Sequence, residues 1–422
     1  MKVLWITNIA FPEAIQGITG SSELKGSGGW LLGACYSILD TDDSVQIAVA
    51  SICDLVQELR IIQGNRIKYY LIPKGKGNEK FNNEYNKYWI IISNDFKPDI
   101  IHLHGTECSH GLSYINACSN RGVVVSIQGL TTYCAKYYMC GLNKWEIIKN
   151  ITFHDIIRGS IFWQKNYFAQ RSLYENEILK KCLYAVGRTN WDRVHSTLIN
   201  PQIKYFSCNE TLRSEFYSGE LWDYTACNKH TIFLSQASYP IKGLHQFLKA
   251  LRIVVKSYPD TVVRIAGKDI INRTGFKNKM KYTGYAKLLS SFINKNQLQE
   301  NIVFIGNLDA DEMKNEYLKC NLFVCPSTIE NSSNSLGEAQ ILGVPVACSY
   351  VGGLPDMMVG NEHNMYRFDE FEMLADIICR VFRYEENQIN MSAIAQKRHN
   401  RSINAQKMLE IYKSVLNDGD PF

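Results

Sequence analysis

Two carboxylates, Glu330 and Glu338, lie on either side of a run of small polar residues in the C-terminal half of the chain. Each carboxylate has two acceptor oxygens and therefore suits a pair of sugar hydroxyls. Ser335 is a good N-cap residue, and the residues after it predict a short helix from about Leu336 to Leu342. A helix start presents unpaired N–H groups and the positive end of the helix dipole, which favour a phosphate. The pattern indicates a site for a phosphorylated sugar.

The same residues also have a purely structural explanation. Ser335 and Glu338 fit a capping box, in which the two side chains only satisfy the backbone of their own helix. If the helix start binds a phosphate instead, the backbone from Asn334 through Leu336 to Gly337 supplies the N–H groups. The local pattern leaves both interpretations open.

A second glycine-rich segment precedes a predicted helix near the N-terminus. Gly26, Gly28 and Gly29 come just before the apolar helical pattern that begins at Trp30. Glycines there let the backbone approach a bound group at the helix start. The segment does not fit the dinucleotide fingerprint G-x-G-x-x-G, because Leu31 stands where the third glycine belongs.

Two predicted buried strands of the N-terminal half end in polar residues. His102 and His104 lie on one side of the strand in KPDIIHLHG, residues 97–105. Most histidines so placed are structural. Gln128 lies near the end of the β-branched run of residues 122–130, and an amide can position a hydroxyl but cannot accept its proton.

The segment EAQILGVPVACSYVGGLPDMM, together with the Glu330-x7-Glu338 spacing, resembles the signature of family 4 (group 1) glycosyltransferases. These are retaining enzymes of the GT-B fold, and the chain is most similar to bacterial members that build capsules and other surface polysaccharides. Weaker similarities are KPDIIHLHG, VGRTNWDR and the Lys242-Gly243 pair. In this family Arg188 of VGRTNWDR lies near the cleft, where it could face a phosphate or pair with a carboxylate.

The resemblance implies a role for each candidate residue. Glu330 orients the donor sugar, Glu338 holds the ribose, and the Lys242 ammonium supports the leaving diphosphate. His104 and Gln128 lie on the acceptor side. The remaining donor-binding residues implied are Asn334, Ser335, Leu336, Gly337, Asn307 at the nucleobase, and Gly28 and Gly29 at the diphosphate.

The chain departs from the family at two places. Many relatives carry a histidine where this chain has Gln128, so a histidine base is excluded there. The arginine expected five or six residues before Lys242 is replaced by Ala237 and Gln236, which removes one of two expected cations.

Strand and helix patterns alternate along all 422 residues, a length that suits two domains. We predict an α/β chain of the GT-B fold, with two Rossmann-like doubly wound domains facing a central cleft. The predicted domains are an acceptor-side domain, residues 1–215, and a donor-binding domain, residues 216–399. A C-terminal helix within residues 400–422 is expected to return to the first domain.

The net charge and the cysteine count of the chain restrict its expected location and partners. A net charge of +5 is too small to indicate nucleic acid binding. Thirteen cysteines without a C-x-x-C pair indicate reduced thiols and a cytoplasmic location, and the first residues predict a strand rather than a signal peptide. No metal and no other cofactor is predicted.

Residues 133–182 interleave aromatic and basic side chains. Such a mixture suits peripheral contact with the inner membrane surface, but it also suits long helices that bury their aromatic face.

These observations predict a retaining, metal-independent glycosyltransferase that moves a sugar from a nucleoside diphosphate sugar to a glycan or lipid-linked glycan. Two alternatives stay open: a sugar-nucleotide-binding subunit without turnover, suggested by the missing arginine, and a GT-B sugar-nucleotide epimerase.

Overall fold

The structure, a computed structural model, describes residues 1–20, 29–75, 83–383 and 391–418. Contacts between Cα atoms divide the chain into two compact units. Unit 1 consists of Met1–Thr132, Gln170–Ser214 and His399–Phe422, and unit 2 consists of Tyr133–Ala169 and Glu215–Arg398.

Each unit is built on one β-sheet. In chain order the strands are β1 Lys2–Thr7, β2 Gln46–Cys53, β3 Arg60–Gln63, β4 Ile67–Pro73, β5 Ile100–His104, β6 Val123–Ser126, β7 Tyr184–Gly187, β8 Lys204–Ser207, β9 Thr231–Leu234, β10 Val262–Ile265, β11 Ile302–Phe304, β12 Leu322–Cys325, β13 Val346–Ser349 and β14 Met365–Tyr366.

Helices connect the strands. They are α1 Pro12–Thr19, α2 Gly29–Thr41, α3 Asn86–Phe96, α4 Ser109–Ala117, α5 Thr131–Tyr137, α6 Lys144–Asn150, α7 Phe153–Arg158, α8 Ile161–Lys181, α9 Asn190–Ile199, α10 Leu244–Val254, α11 Phe276–Met280, α12 Gly284–Lys295, α13 Ala310–Lys319, α14 Asn334–Ile341, α15 Leu354–Met357, α16 Phe371–Phe382, α17 Ser392–Arg398 and α18 Arg401–Asp418. Short 3-10 helices cover Asn83–Tyr85, Ser214–Tyr217, Pro240–Lys242, Gln299–Asn301 and Glu362–Asn364.

The sheet of unit 1 has the strand order β3-β4-β2-β1-β5-β6-β7-β8. All neighbours are parallel except β3, which pairs antiparallel with β4 and which the sequence patterns did not reveal. The order reverses between β1 and β5, so the carboxyl ends of these two strands mark the switch point of a doubly wound sheet. Ligands of such sheets bind outside the strand ends at this point.

The sheet of unit 2 is entirely parallel, with the order β11-β10-β9-β12-β13-β14. Its switch point lies between β9 and β12. The central strands β9, β12 and β13 are buried along their whole length because helices cover both faces, which explains their continuous apolar sequences.

The C-terminal helix α18 packs in the core of unit 1. Ala405, Leu409 and Tyr412 join the apolar cluster around β1, β2 and α2. The Tyr412 hydroxyl also accepts a hydrogen bond from Trp5 Nε1 at 3.1 Å.

The segment 133–169 belongs to unit 2, whereas the predicted N-terminal domain of residues 1–215 included it. Cys140 Sγ donates to the carbonyl of Pro240 at 2.9 Å, and the carbonyl of Cys140 accepts from Gln246 Nε2 at 2.8 Å. Further along, Asp155 Oδ2 accepts from the N–H of Gly284 at 2.8 Å. Side-chain contacts of this kind leave no trace in apolar periodicity, so sequence patterns could not assign the segment.

No helix in the described part of the chain is both long and apolar enough to cross a membrane.

Candidate functional site

The centre of the unit 2 site is an ion pair between Lys242 and Glu330. Lys242 Nζ lies 2.8 Å from Glu330 Oε2, and both side chains are about four-fifths buried. Burial alone would lower the pKa of the Lys242 ammonium, but the Glu330 carboxylate and the nearby Tyr239 raise it above its usual range. Lys242 therefore stays charged at neutral pH.

The pair forms because two loops at the switch point pack against each other. Lys242 follows β9, and Glu330 follows the neighbouring strand β12. The N–H of Thr328 donates to the carbonyl of Ile241 at 2.8 Å. Gly243 has φ +74°, and a Cβ there would lie only 1.8 Å from the carbonyl oxygen of Pro326. The close approach of the loops therefore requires glycine after Lys242.

A third loop, after β13, fixes the backbone of Glu330. The N–H of Gly353 donates to the Glu330 carbonyl at 3.0 Å. Gly352 has φ +54°, and a Cβ there would lie 1.8 Å from the same carbonyl oxygen. The Gly352-Gly353 pair of the sequence signature thus fixes the backbone position of Glu330.

Helix α14 begins earlier than the sequence pattern predicted. Its N-cap is Ser333, whose hydroxyl accepts from the N–H of Leu336 at 3.3 Å, and its first residue is Asn334. The prediction of Ser335 as N-cap is therefore wrong, since several small polar residues in a row can each serve as a cap and packing selects among them.

Because Ser335 lies inside the helix, the capping box of Ser335 and Glu338 does not form. Glu338 is 3% exposed and points toward Tyr317, whose hydroxyl lies 3.5 Å from Glu338 Oε2. The Oδ1 atom of Asn334 is buried and has no hydrogen-bond partner among the described residues. At the start of α14, one buried polar atom, Asn334 Oδ1, is thus not used by the described structure.

The structure gives only the positions of the other donor-side candidates, and Gly28 is outside the described residues. Asn307 is exposed just after β11, beside Gly306, whose carbonyl accepts from the N–H of Gly267 at 2.7 Å. Gly29 is exposed at the first position of α2 in unit 1, and no atom of the described residues lies within 4 Å of a Cβ built there. The predicted roles of these residues stay predictions.

In unit 1, His102 and His104 both lie in β5, and their rings are 4.0 Å apart. His102 is structural, because its ring nitrogens contact the Tyr412 hydroxyl at 2.6 Å and the Ser126 hydroxyl at 2.7 Å. Burial lowers the pKa of His102 to about 3 and holds the pKa of His104 well below its usual value. His104 Nε2 has no hydrogen-bond partner among the described residues, although the side chain is buried.

A polar pair at the switch point of unit 1 escaped the sequence analysis. Asn8 follows β1, Glu107 follows β5, and Asn8 Nδ2 donates to Glu107 Oε1 at 2.6 Å. Burial raises the pKa of the Glu107 carboxyl above its usual value. In the sequence, only their positions could have indicated this pair. Each residue follows a strand end by three residues or fewer, at the sheet edge that carries His104.

A cavity of about 60 Å³ lies inside unit 1 at this edge. Its lining includes Trp5, Trp30, His104, Arg188, Glu210 and Asn404. Arg188 pairs with Glu210, and both side chains are over nine-tenths buried. Of the two interpretations of Arg188, the structure therefore shows the pairing with a carboxylate.

Gln128 is half-buried after β6, on the same sheet as His104. Its predicted acceptor-side role stays a prediction.

Aspartate pairs of the Asp-x-Asp type, which often hold a diphosphate-bound metal, occur twice among the described residues. Asp40 pairs with Arg66 at 2.5 Å, and Asp42 accepts from the hydroxyl of Ser44 at 2.6 Å. Asp309 caps α13 by accepting from the N–H of Glu312 at 2.8 Å. Asp40, Asp42 and Asp309 thus have local structural partners, and the metal independence of the reaction stays a prediction.

A family model matches the part of the chain that carries most of the donor-side candidates. Residues 226–398 match the family model described as "Glycosyl transferases group 1", and this range contains Lys242, Asn307, Glu330 and Glu338. The match covers less than half of the chain.

Two curated relatives are similar over part of their length. YtcC of Bacillus subtilis (strain 168), a glycosyltransferase by name, is 24% identical over 197 residues, which cover 45% of this chain and 46% of YtcC. Protein CapJ of Staphylococcus aureus is 26% identical over 167 residues, which cover 36% of this chain and 42% of CapJ. The chain thus spans less than half the length of either relative in these matches.

A solved structure is similar over the whole chain. The sucrose-phosphate synthase of Thermosynechococcus elongatus has a TM-score of 0.70 at 14% identity, covering 99% of this chain and 100% of that one. Such a likeness shows the fold alone. The predicted fold class, two Rossmann-like α/β domains of the GT-B type, is confirmed. The match to the group 1 glycosyltransferase family model is confined to residues 226–398.

Proposed function

We propose that this chain is a retaining, metal-independent glycosyltransferase that moves a sugar from a nucleoside diphosphate sugar to a hydroxyl of a glycan or lipid-linked glycan. One observation carries the proposal. The Lys242–Glu330 ion pair and the start of α14 lie at the switch point of unit 2, within the group 1 glycosyltransferase domain.

The ion pair suggests how the donor is held. A diphosphate can replace Glu330 as the partner of the Lys242 ammonium, because a doubly charged group competes well for a cation in a partly dry site. The α14 start adds N–H groups from Asn334 and Ser335 and the positive end of its dipole. Glu330, once released, orients the sugar hydroxyls, and Glu338 holds the ribose.

The chemistry then needs little from an acid or base of the protein. The acceptor hydroxyl attacks the anomeric carbon on the face from which the diphosphate leaves, and its proton passes to the leaving phosphate oxygen. Lys242 and the α14 start stabilise the negative charge that develops on that group. Gln128, which cannot accept a proton, agrees with a reaction that uses the leaving group as base.

The biological setting belongs to the same proposal. The resemblance to capsule-type members and the similarity to CapJ support a role in surface polysaccharide synthesis, with His104 and Gln128 on the acceptor side. We expect the reaction to take place in the cytoplasm, with the protein in peripheral contact with the inner membrane surface.

The test is turnover of a panel of nucleotide sugars, followed by release of the nucleoside diphosphate and by the anomeric configuration of the product in NMR. We expect release with retention, unchanged by a metal chelator, and a loss of about 100-fold or more in Glu330→Gln.

Three outcomes would contradict the proposal. Thermal stabilisation by a donor without release favours a binding subunit, and inversion at a ring carbon of the free donor favours an epimerase. Full activity of Glu330→Gln would remove the assigned site.

A further inference from the structure

One segment of unit 2 exposes more large apolar side chains than any other stretch of similar length among the described residues. We call residues 143–163, which contain α6 and α7, the apolar arm. Its large apolar side chains that point to solvent, with their exposed fractions, are Trp145 71%, Ile148 47%, Ile151 37%, Phe153 65%, Ile156 75%, Ile157 59% and Trp163 54%. Soluble proteins rarely leave so many large apolar groups uncovered in one short stretch unless the surface binds something.

The exposure is not that of a loose loop, because the apolar arm is fixed to unit 2. Both helices carry complete capping boxes, from Asn143 to Glu146 and from Thr152 to Asp155. The Thr152 hydroxyl donates to the carbonyl of Tyr282 at 2.8 Å, beside the contact of Asp155 with α12. The apolar side chains are therefore presented by a folded scaffold.

Each helix turns its apolar groups to one side. Phe153, Ile156 and Ile157 follow the spacing i, i+3, i+4 along α7, while Asp155 between them is buried. In α6, Ile147 is buried and Trp145 and Ile148 are exposed. The scaffold thus separates a buried attachment side from an exposed apolar side.

The charges of the arm favour an anionic partner. Lys144, Lys149 and Arg158 are exposed. The arm has only two carboxylates against these three bases: Glu146 is exposed and accepts from the backbone N–H of Asn143 at 2.8 Å, and Asp155 is buried. Exposed aromatic and aliphatic groups with flanking bases suit a bilayer that contains anionic lipid, where rings enter the headgroup region and bases meet phosphates.

We propose that the apolar arm docks unit 2 onto an anionic bilayer surface, with the α6 and α7 side chains inserted among the headgroups. The biological role of this docking, which is to bring the donor-binding unit to a lipid-linked acceptor, rests on the proposed function. Binding to vesicles needs neither donor nor acceptor, so a failure of the docking and a failure of the transferase activity are distinguishable.

The test is sedimentation of the full chain with vesicles of equal parts phosphatidylcholine and phosphatidylglycerol, compared with phosphatidylcholine alone. We expect binding to the mixed vesicles that weakens as salt rises. The double variant Trp145→Ser with Ile156→Ser should bind the mixed vesicles at least about tenfold more weakly, because it removes two of the inserted groups. The variant Lys149→Glu with Arg158→Glu should lose the preference for anionic vesicles.

A control variant removes two large exposed apolar groups elsewhere. Leu198 is 73% exposed and Leu221 is 54% exposed, both outside the arm, so Leu198→Ser with Leu221→Ser should bind like the unaltered protein. Unchanged thermal unfolding shows that the arm variants are folded.

Two results would overturn the proposal. The first is vesicle binding that is absent, or equal in the arm variants and the control. The second is self-association that the arm variants abolish while vesicles bind nothing, which would assign the arm to a contact between two copies of the chain.

Discussion

At the residue scale, Lys242 and Glu330 serve both the fold and the proposed chemistry. Each side chain is mostly buried, and the opposite charge of its partner offsets the free-energy cost of burying its own charge. Removing one partner of a buried ion pair leaves the other charge without compensation. The resulting loss of stability is larger than the net stability that the intact pair contributes.

We therefore expect Lys242→Met to lower donor turnover by about 100-fold or more and to destabilise the protein by about 1–3 kcal/mol. Adding Glu330→Gln should recover part of the stability, since no charge is then left alone, but none of the turnover. Thermal unfolding and nucleoside diphosphate release separate the two effects. Recovery of turnover in the double variant would show that the pair is only structural.

Gly352 tests how tightly the backbone of Glu330 is held. Gly352→Ala places a Cβ on the Glu330 carbonyl oxygen and forces an L side chain into a left-handed conformation, so we expect a loss of about 3 kcal/mol or more. Gly360 also has a positive φ of +87°, but a Cβ there would meet no atom of the described chain within 4 Å. Gly360→Ala should cost only about 1–2 kcal/mol in thermal unfolding. Equal losses in the two variants would refute the close contact.

At the element scale, the start of α14 decides which serine has which role. Ser333 caps the helix, and Ser335 lies in the first turn, where its N–H is free of intrahelical partners. The two hydroxyls are two residues apart, yet only one contributes to helix stability.

Ser333→Ala should lower the free energy of unfolding by about 1 kcal/mol, because it removes the acceptor for the N–H of Leu336. Ser335→Ala should leave stability nearly unchanged and raise the KM of the donor. Denaturant unfolding and donor kinetics of the two variants provide the comparison. The opposite assignment of effects would restore Ser335 as the cap.

At the scale of the whole molecule, each unit contains a histidine that the fold keeps neutral. Burial lowers the pKa of His102 in unit 1 to about 3 and that of His245 in unit 2 to about 4. Because the folded pKa lies below the unfolded value, the unfolded chain binds a proton that the folded chain rejects. The stability that depends on a neutral histidine is complete above pH 6.5 and is lost as the pH falls toward the folded pKa.

Comparison with a non-titrating variant isolates this effect from the carboxyl groups. His245→Gln removes the titration, so the stability advantage of the unaltered protein over the variant should shrink by about 1 kcal/mol per pH unit as the pH falls from 6 to 4. His102→Gln should do the same for the transition of unit 1. Thermal unfolding midpoints across this range provide the measurement, and a pH-independent difference would show that the histidines titrate normally.

The sequence by itself determined the alternation of strands and helices, most of the central strands and the position of the donor-side motif. The reason is local: continuous apolar runs such as β9 and β12 are buried on both faces, and the small residues after β12 admit a loop and a helix start. The distinct Glu330–Glu338 spacing could be recognised without any knowledge of packing.

Only the tertiary structure decided which residues meet. The contact of Lys242 with Glu330 depends on the neighbouring positions of β9 and β12, which are far apart in sequence. The assignment of residues 133–169 to unit 2, the choice of Ser333 as cap and the pairing of Asn8 with Glu107 likewise depend on side chains of distant segments. Periodicity reports which face of an element is buried, whereas the partner on that face is set by strand order and packing.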